Sequence, residues 1–152
     1  MDQQTRPPNR SIPGPAVTPI LAYPDVREAV AWLHEVFGFT ERLQIANHRA
    51  QMIIEGSGAV VVAEYIDRER RPAVGADHVG HQIMVRVPDV LAHHAHAKAC
   101  GATILREPTD HDIGERQYVV RDPGGHRWIF SQTLADVHPN EWGDAEVVLK
   151  VP

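Results

Sequence analysis

Histidines crowd one short stretch of the chain, at positions 93, 94 and 96, and imidazole is the first chemistry to weigh. On a helix the i, i+3 spacing puts only His93 and His96 on one face, where two imidazoles can share a metal ion. With no acid beside them, such a pair reads as a solvated helix face. His81 and Gln82 offer a second pair of adjacent donors, and His78 lies just upstream in a charged stretch. His126 stands in the turn Asp122-Pro123-Gly124-Gly125-His126, where hydrogen bonds that fix a hairpin fit better than proton transfer. Glu64 ends an apolar run; shielded from water, it has the character of a general base or of a partner for a ligand cation. The plainer alternative for Glu64 is a solvated strand end or a salt bridge to Arg127 or Arg86. Glu55 ends its own run beside Gly56 and reads as solvated.

Nucleophile chemistry finds less support. Cys100 is the one cysteine, so it makes neither an internal disulfide nor a Cys-based zinc site, and it reads as a small buried helix residue. No Gly-x-Ser-x-Gly elbow occurs. Gly124-Gly125 lacks the lysine and helix start of a phosphate loop and reads as a turn.

The elements that must position these groups come from an internal repeat. Tyr23-Pro24-Asp25-Val26 and Val87-Pro88-Asp89-Val90 are two copies of one motif, 64 residues apart. An apolar run precedes each copy, and a helical stretch ending at glycine follows it. Asp25 and Asp89 suit the N-cap of those helices. Val26, Ala29, Val30, Leu33, Val36 and Phe37 fall at helical spacing before Gly38; Val90, Leu91, Ala95 and Ala99 form a weaker stripe before Gly101. Three strand-like runs then follow each helix: 41–46, 49–55 and 59–66, then 103–107, 116–121 and 127–133, with turn residues between them. Each half therefore reads βαβββ, an α+β architecture. The expected organisation is a proline-rich arm over 1–16, a first module over 17–66, a charged linker over 67–78, a second module over 79–133 and a tail over 134–152.

Composition bounds the function. With 43% hydrophobic and 23% charged residues in 152, the chain is an ordinary folded domain or two very small ones. Acidic groups outnumber Lys plus Arg by 20 to 15, a formal charge of -5 that argues against nucleic acid as a partner. The opening MDQQTRPPNRSIPGP has no apolar signal core, and no run approaches the roughly 18 apolar residues of a membrane span. A reducing cytoplasm is the expected setting.

Two βαβββ modules of this size, with Pro-Asp-Val at each first turn and Asp-Pro-Gly-Gly-His-Arg-Trp before the last strand, resemble the vicinal oxygen chelate superfamily, which includes glyoxalase I, extradiol dioxygenases and bleomycin-resistance proteins. The likeness covers about residues 17–133. Its most specific segments are Gly114-Glu115-Arg116-Gln117-Tyr118 and Asp122 through Gln132, which with Glu141-Trp142-Gly143 are similar to drug-sequestering and to uncharacterised glyoxalase-like members rather than to the metal enzymes. The resemblance implies that each module curls into a half-barrel, that metal ligands come from its first and last strands, and that the chain forms a homodimer, in some members by exchanging modules. The first-strand ligand positions fall on Thr18 and Gln82, and the last-strand positions, counted four residues beyond Gly58 and Gly125, fall on Val62 and Ile129. A divalent metal needs roughly three or four imidazole, carboxylate or amide donors, and only Gln82 is one.

Within that fold, strand alternation assigns Thr18, Ile20 and Ala22, then Val60, Val62 and Glu64, then Gln82, Met84 and Arg86, then Arg127, Ile129 and Ser131 to the concave surface. Ile83, Val85, Val87, Trp128 and Phe130 belong beneath the helices. Tyr118 can offer an aromatic face to a planar ligand at the cavity mouth, or sit half-buried in an ordinary hairpin. Apolar groups with a few convergent polar ones make an organic-ligand cleft. The expected function is cofactor-free sequestration of a small planar or aromatic compound. The alternative is an enzyme of the same superfamily: a lyase or dioxygenase holding Zn, Mn, Ni or Fe through His81, Gln82 and Glu64, or a metal-free isomerase with Glu64 as base.

Overall fold

Each Pro-Asp-Val turn starts a helix by the same local chemistry. Asp25 and Asp89 lie in extended backbone, and each side chain accepts a hydrogen bond at 3.0 Å from a first-turn N–H, of Glu28 and of Ala92 respectively. A computed structural model describes residues 6–64, 80–143 and 146–150. In the first half, β1 (Ile20–Tyr23) leads into α1 (Val26–Phe37), followed by β2 (Thr40–Ile45), β3 (Arg49–Ile54) and β4 (Gly58–Glu64). The second half repeats this with β5 (Ile83–Arg86), α2 (Val90–Ala99), β6 (Thr103–His111), β7 (Glu115–Arg121) and β8 (Arg127–Thr133). Strand β6 runs four residues beyond its sequence-based end, carried through two register shifts in its ladder with β7. The expected linker over 67–78 lies outside the described residues. In the tail, Pro139–Glu141 form one 3-10 turn.

The two sheets have equivalent orders, β1-β4-β3-β2 and β5-β8-β7-β6, with the first pair of each parallel and the rest antiparallel. This is the two-module βαβββ fold. Gly38 ends α1 in the left-handed region at φ 78°, which its missing Cβ permits at no steric cost. The stripe Val26, Ala29, Val30, Leu33, Val36 and Phe37 is buried against Leu21, Tyr23, Ala50, Met52, Val60 and Val62. Beneath α2 the second sheet supplies Val85, Tyr118, Val120, Trp128 and Phe130. The two cores are continuous, because the Phe37 ring meets Phe130 at 4.8 Å and Trp128 at 5.6 Å.

A polar clamp sits at the join. The buried Asp122 carboxylate accepts from the Gly124 and His126 N–H groups through Oδ1, and from Trp128 Nε1 and the Tyr23 hydroxyl through Oδ2. Tyr23 belongs to the first module and the other donors to the second. His126 adds a second link, its Nε2 donating to the Ala22 carbonyl at 2.8 Å, and its ring packs edge-on against Tyr23. The turn over 122–126 therefore does more than close a hairpin. A Cβ at Gly124 would lie 2.6 Å from Tyr23 Cδ1, so only glycine lets the tyrosine ring pass.

Two substitutions probe the clamp by urea denaturation. Gly124→Ala is expected to destabilise by about 1–3 kcal/mol through overpacking. Tyr23→Phe is expected to cost about 1–3 kcal/mol, because the buried carboxylate loses one donor. Unchanged midpoints for both would show that the modules are held by other contacts.

Candidate functional site

Helix α2 covers one face of the second sheet, so residues alternating with Val85, Val120, Trp128 and Phe130 point to the other. These are Met84 and Arg86 on β5, in register with Ile129 and Ser131 on β8, and Gln117, Val119 and Arg121 on β7, opposite Ser131, Ile129 and Arg127. Met84 is 58% exposed, and Gln82 and Arg86 are exposed beside it. Ile129 and Arg127 are half-buried. A cavity of about 250 Å³ bounded by Gly80, His81, Gln82 and Arg127 opens at one end of β5. Another of about 300 Å³, bounded by Arg86, Val87, Pro88, Gln132 and Thr133, opens at the other end. Between Glu115 and Gln117 the face is internally satisfied: buried Ser131 donates to Glu115 Oε1 at 2.9 Å and accepts from Gln117 Nε2 at 3.0 Å. Arg86 donates to Thr133 Oγ1 at 2.9 Å.

On the first sheet the equivalent face carries Ile20 opposite Val61 and Ala22 opposite Ala63, with Gln51 opposite Val61 on the next strand. Ile20 is 58% exposed, whereas Gln51 is buried. The N-terminal arm is pinned there: Gln51 Nε2 donates to the Ser11 carbonyl at 2.8 Å, and Arg42 donates both to Gln51 Oε1 and, at 2.8 Å, to the Arg10 carbonyl. Thr18 is half-buried just before β1.

Several expected site residues lie elsewhere. Val62 and Glu64 pair with Leu21 and Tyr23, so with Val60 they take the helix-covered side of β4 instead of the concave one. The cause is the glycine used for counting. Gly58 already sits in the ladder opposite Ile54, whereas Gly125 lies inside the turn before Arg127 pairs with Arg121, so the same count slips by one residue. Val61 takes the place expected of Val62. Tyr118 stands opposite Phe130, fully buried under α2, and presents no face to a ligand. Gln117, Val119 and Arg121 were missed, although alternation from the Asp-Pro-Gly-Gly turn back along β7 identifies them.

The histidines of α2 do not form a solvated face. His93 is half-buried, stacked 4.0 Å from Phe130; its Nδ1 accepts from the Tyr118 hydroxyl at 2.6 Å and its Nε2 donates to the Phe37 carbonyl at 3.3 Å. His96 Nε2 donates to the Glu35 carbonyl at 2.7 Å. Both rings thus satisfy carbonyls of the last turn of α1, which have no partner within that helix. His94 packs edge-on against Tyr118. Cys100 is exposed rather than buried, since it ends α2 beyond the packed face, with Sγ 3.6 Å from His96 Nε2.

Among the described residues no three of His, Cys, Asp and Glu come together to hold a metal ion. With register corrected, the four family positions are Thr18, Val61, Gln82 and Ile129, a donor set that does not fit a divalent metal. His81 and Gln82 border the second sheet's cavity, while Glu64 lies on the covered side of the first sheet.

Residues 16–130 match the family model of the Glyoxalase/Bleomycin resistance protein/Dioxygenase superfamily. The chain belongs to that superfamily. Within it, TioX from Micromonospora sp. ML1 is similar at 34% identity over 80% of this chain and 100% of TioX, with a TM-score of 0.65. The fosfomycin resistance protein FosX from Listeria monocytogenes shares the fold at 15% identity and TM-score 0.61, over 80% of this chain and 94% of FosX. A lactoylglutathione lyase from Agrobacterium tumefaciens does so at 16% and 0.59, over 79% and 94% of the two chains. No match is found among curated proteins. The superfamily match runs from just before β1 to within β8 and leaves out most of the arm and the tail.

Burial lowers the pKa of His93, with a further push from His96 and only partial opposition from the bond to Phe37. Burial also raises that of Tyr118, which keeps its hydroxyl proton available to His93. The folded state therefore favours the neutral His93 ring. Its contribution is complete above the ordinary imidazole pKa of 6.5 and is lost as pH falls below that value toward the lowered one. The urea midpoint is expected to drop in that window, and His93→Gln to flatten the drop. An equal slope in the variant would assign the effect to another group.

Proposed function

We propose that this chain is a binding member of its superfamily, holding a small planar or aromatic organic compound on the open face of the second sheet and so sequestering it, without a catalytic metal. The observation that carries this reading is the face itself: exposed Met84 beside Ile129, flanked by Gln82, Arg86 and Arg127, with a cavity at each end of β5. An apolar floor with a few polar groups at its edges suits an organic ligand. Membership alone would not support it, because one fold hosts binders and enzymes. The donor set supports binding over metal chemistry, and the placement of Glu64 under α1's face of the sheet argues against its use as a base.

The working form in this proposal is a homodimer. Ile20 and Met84 are equivalent residues of the repeat, each on an edge strand, and each is a large apolar side chain 58% exposed. A second copy that lays its first module against the second module of its partner covers Ile20 and would complete a cleft with Met84 on its floor. No helix among the described residues is long and apolar enough to cross a membrane. The lone thiol suits a cytoplasmic setting.

A thermal-shift screen with planar aromatic antibiotics, run with EDTA and separately with added Zn, Mn, Ni or Fe, tests the binding reading. At least one compound is expected to raise Tm equally under both conditions, and Met84→Asp to weaken its binding about tenfold, or about 1.4 kcal/mol. A shift seen only with added metal would favour the enzyme reading instead. By light scattering the protein is expected to have the mass of two chains and Ile20→Asp that of one; a monomeric parent protein would remove the dimer from the account.

A further inference from the structure

The chain as a whole is acidic, with a formal charge of -5, yet the open face of the second sheet runs the other way. Arg86, Arg121 and Arg127 all alternate onto it, and the acid that the register places there, Glu115, already receives the Ser131 hydroxyl. Arg121 and Arg127 occupy directly opposed positions of the β7–β8 ladder, a placement that costs stability between like charges unless something offsets it. Arg86 is engaged with Thr133, and Arg121 has an interaction of its own. Arg127 differs in position: of the three it alone borders the 250 Å³ cavity, together with His81 and Gln82. Its Nε is buried and meets no acceptor, a feature it shares with the Nε of Arg121.

A buried guanidinium N–H without an acceptor is costly, and the flat fork of an arginine matches the two oxygens of a carboxylate. Resting on the reading that this face binds the compound, we infer that the cavity at Arg127 receives an anionic carboxylate of the ligand, so that the bound compounds are planar aromatic acids. Arg127 supplies the two parallel donors, the Gln82 amide and the His81 ring add hydrogen bonds at the mouth, and the apolar body lies along Met84 and Ile129. The cross-strand repulsion with Arg121 is offset when the anion is in place. Selectivity within the class comes from charge at one end and apolar area along β5.

Calorimetric titration of the full chain with 2-naphthoate and with the neutral 2-naphthamide tests the inference, since the two share a ring system and differ in charge. Naphthoate is expected to bind at least about tenfold tighter, a preference that shrinks as salt is raised. Arg127→Gln should bring naphthoate affinity down to about that of naphthamide, erasing the preference, with the circular dichroism spectrum unchanged, and Arg127→Lys, which keeps the charge without the fork, should retain part of it. Equal affinities for the pair, or a preference that survives Arg127→Gln, would overturn the carboxylate site and leave the binding face standing. Failure of both compounds to bind would also overturn it, and with a blank antibiotic screen would remove the binding face as well.

Discussion

One buried carboxylate organises the molecule. Asp122 receives donors from its own turn, from Trp128 and, across the join, from Tyr23, and a charge buried in this way is stable only because its acceptor capacity is used. Removing donors one at a time exposes a growing desolvation cost. The clamp also fixes direction. By tying the end of β1 to the turn before β8, it brings the two helix-covered faces into one core, in which Phe37 and Phe39 reach Trp128. The other face of each sheet consequently lies outside that core.

Those faces are chemically unequal although the modules repeat. The first has small side chains, Ala22, Val61 and Ala63, and holds the arm through Gln51 and Arg42. The second carries Met84, Ile129 and a set of arginines, with a cavity at either end of its edge strand. One face is thus engaged by its own chain, and the other is left open beside its two cavities. The helix histidines take no part in either. They close the end of α1, a structural use that makes stability depend on His93 remaining neutral.

Much of this was legible in the sequence where the determining chemistry is local. An aspartate after proline caps a helix with its own side chain, so both helices and the repeat could be read directly. Alternation placed Met84, Arg86, Arg127 and Ile129 correctly because the Asp-Pro-Gly-Gly turn fixes the start of β8. The same counting failed for Val62 and Glu64, since a glycine within a ladder and a glycine within a turn look alike in a sequence. Tyr118 was misjudged for want of the antiparallel register that sets it against Phe130. The clamp was out of reach altogether: Tyr23 and Asp122 are 99 positions apart, and nothing local announces that they meet. His93 and His96 are similar cases, since the carbonyls they bond, of Phe37 and Glu35, lie on the other module.

The claim on which the function rests is that the open face of the second sheet is where ligand binds. The most direct measurement is mapping of NMR shift changes, with methionine and isoleucine methyl groups and arginine Nε labelled, as 2-naphthoate is added. The account predicts that changes concentrate on the Met84 and Ile129 methyls and on Arg127 Nε, with Met52 under α1 and Ile53 on the first sheet unmoved. Changes confined to the first sheet or to the α1–α2 contact, with Met84 and Ile129 silent, would contradict it.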